Sequence, residues 1–326
     1  MPKWITIVVI APILSVAIHS QTNPLWHSEK VKNYLPHMTW PEVESLLTRT
    51  DMVIVPIPAI EQHGPQLPIG TDYFTGEELA KLIAQRTDVL VAPVLLPGIS
   101  PYHMEFPGTI TLSPDTVQRV YFEAVQSLIH HGFRRFLIFP SHAGNMGVSR
   151  YIVDRINQET PGIAVELNEA AAPFFKGQEE REQKKETPRG EKNQKEDKTQ
   201  FDRHAGVDET STGLYLFSNL VEMGKAGKNE LTLPDHLHKS LPQVTAGEST
   251  VTRVFLAEAL KPKSTGKHTS TREMTTTGVW SERDTREASA DEGRQESDAF
   301  VSASVRFIER WKELKPLQPL AERRSY

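Results

Sequence analysis

The chain has 326 residues, 38% of them apolar, and its 37 Lys and Arg against 42 Asp and Glu leave a formal charge of -5. That length carries one sizeable α/β domain or two small ones. The mild acidity, with Lys and Arg spread along the chain, gives no reason to expect nucleic acid or an anionic membrane surface as a partner. No cysteine is present, which excludes disulfides, thiolate zinc sites and a cysteine nucleophile. Any transition metal must be held by imidazole and carboxylate, a donor set that suits zinc, manganese or iron.

Behind Lys3, an uncharged run from Trp4 to Ala17 (WITIVVIAPILSVA) precedes the small residue Ser20 and the polar Gln21. Residues 1–20 read as a secretory signal peptide. The run is short for a membrane span; an uncleaved N-terminal anchor is the alternative. The expectation is an exported protein, periplasmic or secreted, with no membrane contact once the leader is removed. The remainder, 21–326, reads as a single domain.

Pro41 to Thr50 reads as a short helix with Val43, Leu46 and Leu47 on one face. Met52 to Ile60 (MVIVPIPAI) is an apolar run that suits a strand buried on both faces. Tyr73 to Gln85 has helical spacing in Leu79, Leu82 and Ile83, and Val89 to Ser100 reads as a second strand ending in a loop. Pro114 to His131 is a helix started by Ser113 as N-cap, with Pro at the first helical position. Phe136 to Phe139 is a third strand, Val148 to Gln158 a helix and Ile163 to Leu167 a fourth strand. Strands alternating with helices predict an α/β fold, a parallel sheet covered by helices on both faces.

Lys176 to Lys198 is nearly all charged or amide side chains and cannot bury apolar surface. It reads as a flexible surface insertion, at about 176–200. Thr210 to Met223 resumes helical spacing. Gly224 to Thr277 is polar, although Val251 to Leu260 has the look of an ordered segment. Ala288 to Leu314 is a final helix, with Phe300, Ala303, Val305, Phe307, Ile308 and Trp311 on its buried side.

Four stretches carry chemistry. In AIEQHGPQLPIGTD, Glu61 and His63 follow the first strand directly, and residues i and i+2 of extended backbone point the same way. They therefore project together from the C-terminal edge of the sheet, where open α/β folds place their ligand sites. Gly64, Pro65, Pro68 and Gly70 shape a return that brings Asp72 back to the same place, making a metal cradle; three polar groups on a surface loop is the plainer alternative. In PSHAGNMG, His142 leaves the third strand at the same edge, and Asn145 either orients a ligand or caps the next helix. In RHAGVDETSTG, Glu209 is placed to ligate metal and His204 to exchange protons, unless Asp208 and Thr210 merely start a helix. In GISPYHMEFPGTITLS, His103 either lines a substrate pocket or is an ordinary loop histidine.

Taken together, PIPAIEQHGPQLPIGTD, GISPYHMEFPGTITL, PSHAGNMG and HAGVDETS resemble, in order and spacing, the creatininase (creatinine amidohydrolase) family, and Thr275 to Arg294 looks like that family's C-terminal segment. The resemblance implies a three-layer α/β/α sandwich, often assembled as a homo-oligomeric hexamer. It implies hydrolysis of a C–N bond in a small cyclic or linear amide substrate, with two divalent metal ions (Zn, Mn or Fe). Carried over, Glu61, Asp72 and His142 would hold one metal, and His63 and Asp72 the other, with Asp72 bridging. In creatininase itself a glutamate lies two residues after the histidine matching His142. Here Gly144 stands there, as in many relatives, and Glu209 would complete the site. Val207 stands where many relatives have glutamate. The resemblance gives His204 the proton transfer and His103 a place in the substrate pocket, with Asn145 as a second substrate contact; the departure at Gly144 and the lack of placeable aromatic residues to cover creatinine imply a substrate other than creatinine. A member that has lost catalysis and a peptide-trimming member are the rival readings.

Overall fold

The first sheet strand, β1 (Met52–Ile57, MVIVPI), is buried at every residue. Such a strand needs partners on both edges and cover on both faces. In the computed structural model, which describes residues 29–95, 97–175, 202–232, 254 and 270–324, the partners are β2 (Leu90–Val91), β3 (Arg135–Pro140) and β4 (Ile163–Glu166). The order is β2-β1-β3-β4 and every pairing is parallel. Residues 1–20, read above as a leader, and the charged stretch at about 176–200 lie outside the described residues, as does all of Val251 to Leu260 except Val254. The described residues from Val31 onward form one compact unit, and no helix among the described residues is long and apolar enough to cross a membrane.

Alternation along the strands sorts the core into two faces. Val53, Val55, Ile57, Phe136 and Ile138 face α3 (Pro114–His131) and α4 (Met146–Glu159) through Val117, Tyr121, Val125, Ile152 and Ile156. Met52, Ile54, Leu137 and Phe139 face α2 (Thr71–Arg86) and a long C-terminal helix, Ala290–Leu314, through Leu79, Ile83, Val301 and Ile308. The result is the expected three-layer α/β/α arrangement. The helix α3 has the expected bounds: Ser113 Oγ accepts the Thr116 N–H, and Gly132 closes the other end at φ +109°, a left-handed cap that glycine adopts without strain.

Two strands are shorter than their apolar runs. β1 stops at Ile57 because the next carbonyls go elsewhere: Asn145 Nδ2 donates to Ile57 O at 3.0 Å and Pro58 O at 2.9 Å. β2 keeps only Leu90 and Val91; Pro93 and Pro97 follow, and proline has no N–H to give a ladder.

Between the sheet and the C-terminus lie α5 (Leu167–Ala171), a small antiparallel pair β5 (Asp202–His204) with β6 (Trp280–Ser281), and α6 (Val207–Leu216). The expected helix from Thr210 to Met223 starts three residues earlier because Asp202 Oδ2 accepts the Val207 N–H at 2.8 Å and the Asp208 N–H at 3.3 Å. The C-terminal helix, now α7 (Ala290–Leu314), runs against α6 with little room between. Ser211 is the joint: Ser289 N–H donates to its hydroxyl at 3.0 Å, and that hydroxyl donates to Glu292 at 3.2 Å. Of the α7 side expected to be buried, Ala303 and Ile308 are fully so, and Phe300, Val305, Phe307 and Trp311 pack partly buried against the core; the sequence reading missed Val301.

A Cβ built on Gly293 would overlap the Ser211 carbonyl. Gly293→Ala must therefore push α7 off α6, which carries Glu209. Overpacking of this kind costs about 1–3 kcal/mol, and we expect the unfolding free energy from urea titration to fall by that amount, as a lower midpoint at unchanged slope. An unaltered midpoint would show that the crossing yields freely.

Candidate metal centre

Glu61 and His63 leave the sheet at the end of β1, and the chain then turns back on itself. Gly64 makes the turn at φ +70°, where a side chain would be strained and would also strike Val279. The loop closes when the Glu61 N–H donates to Ile69 O at 3.1 Å and the Thr71 N–H to Pro68 O at 3.1 Å. Asp72 thereby enters as the second residue of α2. His142 follows β3, one strand over. His204 ends β5, and Glu209 sits in the first turn of α6. Between these two, Ala205 is held at φ +53°, a conformation that costs an L-residue roughly 1–2 kcal/mol. Its N–H donates to Glu209 Oε2 at 2.5 Å. Backbone strain of this kind gathers at functional sites.

These side chains meet in one buried cluster. Glu61 and His63 are each 1% exposed. His63 Nε2 lies 3.4 Å from Asp72 Oδ1 and 3.7 Å from Glu209 Oε2. His142 Nδ1 lies 3.2 Å from Asp72 Oδ2, and its Nε2 lies 3.3 Å from Glu61 Oε2. His204 Nδ1 lies 3.6 Å from Glu61 Oε1 and 4.0 Å from Glu209 Oε2. Two ligand triads result, Glu61–Asp72–His142 and His63–Asp72–Glu209, and Asp72 belongs to both. A third grouping joins Glu61, His63 and His204. Four of these five candidate ligands are buried, whereas the Glu209 side chain is 38% exposed and opens the cluster to solvent.

Three of the four histidines are locked the same way. His63 Nδ1 is 3.0 Å from Glu61 O, His142 Nε2 is 3.1 Å from Ile99 O, and His204 Nε2 is 2.7 Å from Gln62 O. A carbonyl oxygen only accepts, so each of these nitrogens carries the proton. The other nitrogen of each ring, left with a lone pair in the neutral form, faces the carboxylates. Backbone or carboxylate acceptors hold metal-ligating histidines in this fashion.

The electrostatics point the same way. Burial alone would push His63 down, but Asp72, Glu209 and Glu61 outweigh it and raise it to about 10. His142 behaves likewise: burial lowers it, Glu61 and Asp72 raise it, and it reaches about 9. Burial pushes Glu61 up to about 7 against the pull of His142. Burial would raise Asp72 too, but His63 and His142 hold it well below the usual carboxylate range. His204 is driven down to about 3 by burial and by His63, so it is neutral. Glu61 Oε1 and Oε2, His63 Nε2 and Asp72 Oδ2 are buried with no hydrogen-bond partner among the described residues. Buried carboxylate oxygens and imidazole lone pairs converging without donors are the donor set of a divalent cation. The residues present fit such an ion.

Two expected substrate contacts are placed differently. Asn145 is wholly buried; besides its two bonds to Ile57 O and Pro58 O, its Oδ1 accepts the Ile99 N–H at 2.9 Å. Every polar atom of its side chain is engaged by main chain, so it ties three loops together and does not face a ligand. His103, 3% exposed, backs Glu61 Oε1 at 3.5 Å through Nε2 and does not line an open wall. Val207 is fully buried at the start of α6 and offers no ligand, and the triads are complete without it. Gly144 is required where it stands: a Cβ there would lie 2.5 Å from the Tyr102 hydroxyl and 2.7 Å from Ile99 O, and would overlap the His142 ring. Sequence reasoning missed Gln62, Gln66 and Thr271. Gln66 Nε2 donates to Ala205 O at 2.7 Å and to Thr210 Oγ1 at 3.1 Å, fastening the Glu209 turn to the Glu61 loop. Only their type, an amide or hydroxyl beside a ligand motif, could have drawn attention to them.

Several known proteins are similar to this chain. The chain is 28% identical over 152 residues to the 3-dehydro-scyllo-inosose hydrolase of Thermotoga maritima, covering 45% of this chain and 49% of that one. It is 29% identical over 130 residues to the creatinine amidohydrolase of Pseudomonas putida, covering 38% and 49%. It is 27% identical over 117 residues to the mycofactocin precursor peptide peptidase of Mycobacterium tuberculosis, covering 33% and 46%. The chain thus spans about half the length of the curated relatives it matches. Among solved structures, a manganese creatininase superposes with a TM-score of 0.58 at 20% identity, over 87% of this chain and 99% of that one. A putative creatinine amidohydrolase from Bacteroides fragilis superposes at 0.54 and 21%, over 92% and 98%. These likenesses establish the fold. The family model for creatininase, described as creatinine amidohydrolase, matches residues 36–308, nearly the whole span of the described sheet, helices and metal centre, and the chain belongs to the creatininase family.

Proposed function

We propose that this protein is a metal-dependent hydrolase that cleaves a C–N bond in a cyclic or linear amide. The observation that carries the proposal is the pair of ligand triads sharing Asp72, Glu61–Asp72–His142 and His63–Asp72–Glu209. Each supplies two carboxylates and an imidazole, so the reading includes two divalent ions per chain; the solved relatives include manganese and zinc forms of creatininase. When bound, such ions polarise a carbonyl and lower the pKa of water.

The chain's own residues account for the rest. His204 is neutral, and its Nε2–H is held by Gln62 O at 2.7 Å. Its Nδ1 lone pair points toward Glu61 and Glu209. In this reading it takes the proton of the attacking water and returns it to the leaving nitrogen, as a general base and then a general acid. The exposed side of Glu209 is the face by which substrate enters. Asn145 takes no part in stabilising the developing oxyanion, since its amide is occupied by main chain.

The relatives' names span a cyclic inosose, creatinine and a precursor peptide, so the substrate is chosen by the walls around this centre. Peptide trimming is the second reading, favoured by the several matching relatives that are named peptidases. A panel of creatinine, cyclic ureides, formamides and short peptides separates the two. Export through residues 1–20 belongs to the proposal and rests on the apolar run Trp4 to Ala17. Homo-oligomeric assembly, as a hexamer, belongs to it too; Trp40, 77% exposed, supports an interface, and sedimentation would test it.

Two substitutions test the roles. Asp72→Ala removes the shared ligand and should empty both positions, so metal measured by mass spectrometry falls to about the background of a chelated control, with loss of turnover. Retention of one ion per chain would refute the bridging role. His204→Ala should keep its metal yet lose turnover by about 10²–10⁴-fold, the usual weight of a positioned proton carrier. If metal is lost in proportion to turnover, His204 is a ligand and the proton role is wrong.

A further inference from the structure

Gln62 stands between two ligands, 6% exposed, and its side chain reaches both remaining histidines. Its orientation is decided at Oε1, which accepts the Gly64 N–H at 2.9 Å. Nε2 therefore faces the other way, toward Gly278 O at 3.0 Å, His103 Nδ1 at 3.1 Å and His204 Nε2 at 2.9 Å. One amide proton goes to Gly278 O, which only accepts. His204 Nε2 has its own proton on the Gln62 carbonyl at 2.7 Å, so it cannot accept the second. That proton goes to His103 Nδ1.

The consequence is a fixed tautomer. With Nδ1 accepting, neutral His103 carries its proton on Nε2, 3.5 Å from Glu61 Oε1. The Thr271 hydroxyl lies 2.8 Å from the same Nδ1 and 3.1 Å from Tyr102 O; it has one proton for these two acceptors, so the tautomer is set by the Gln62 amide. The opposite tautomer would strand an amide N–H of Gln62 inside the protein and turn the Nε2 lone pair toward a carboxylate. Both features are costly in a buried site. His103 and His204 stack at 4.3 Å with their planes 25° apart, yet they present opposite chemistry to Glu61.

We propose that Gln62 is a positioning residue that sets this opposition: His103 turns an N–H toward Glu61, and His204, tethered by the Gln62 main chain, offers a lone pair. His103 then orients a metal-binding carboxylate from behind, which is how outer partners tune affinity. The functional consequence rests on reading Glu61 as a ligand, whereas the tautomer is a property of the chain itself.

The test separates the two. Histidine nitrogen NMR on the metal-free full chain, with His103 assigned by comparison with a His103→Gln spectrum, should show the Nε2–H tautomer; an Nδ1–H signal would overturn the proposal without touching the hydrolase reading. Gln62→Glu replaces the donor by an acceptor and should turn His103 to Nδ1–H. Zinc affinity, measured by competition with a chelator, should then fall about 10–100-fold. An unchanged His103 tautomer in that variant would overturn the role of Gln62. A switched tautomer with unchanged affinity would overturn its bearing on the metal centre. Should Gln62→Glu fail to fold, Gln62→Met removes the donor at similar volume and must show a mixed His103 tautomer in the same spectrum.

Discussion

The centre depends on three bonds from imidazole N–H to main-chain carbonyls: His63 to Glu61 O, His142 to Ile99 O and His204 to Gln62 O. Each fixes which nitrogen of a ring faces inward, and so turns three flexible side chains into three aimed lone pairs. Side-chain acceptors could swing; these carbonyls belong to the loops that leave the sheet and move only with it. The carboxylates complete the cluster, and Asp72 is shared because the Gly64 return brings it within reach of both His63, after β1, and His142, after β3. The negative charge of Asp72, Glu61 and Glu209 gathered around the rings is why His63 and His142 are held so far up against their burial.

The scaffold serves that geometry through close approaches. Asn145 stitches the ends of β1 to the loop at Ile99, so the carbonyl that orients His142 is itself tied down. Gly144 keeps the space beside His142 clear of any side chain. Farther out, Ser211 and Gly293 bring α7 onto α6, and Asp202 starts α6 early enough to put Glu209 in its first turn. Ala205 holds a strained conformation between His204 and Glu209, and Gln66 braces it. Cost at one residue is met by hydrogen bonds from another part of the chain.

Much of this was legible in the residues. Elements with punctuation at both ends, such as the helix from Ser113 to Gly132, could be bounded because capping is local chemistry. Glu61, His63 and His142 could be brought together because side-chain alternation and the edge rule for parallel sheets both act over short stretches. Apolarity alone misjudged β1 and β2, since proline and a side-chain amide interrupt the ladder while the run stays apolar. Asn145 was misread for a related reason. Its type suited a ligand contact, and only the fold shows that three main-chain groups already occupy it. Gln62 and Thr271 were invisible because their partners, Gly278 and His103, lie 216 and 168 positions away, and such contacts leave no pattern in sequence. Glu209 was suggested by its place before a helix, family likeness supplied the second metal, and the geometry groups Glu209 with His63 and Asp72.

The most direct test of the account is the number of divalent ions that the folded wild-type chain binds, measured by zinc or manganese titration of metal-free protein with calorimetric and mass-spectrometric counting. The account predicts two ions per chain, entering sites that share a carboxylate. Saturation below one ion per folded chain would contradict it, because the buried donors of Glu61, His63 and Asp72 would then have to be explained without the cations they surround.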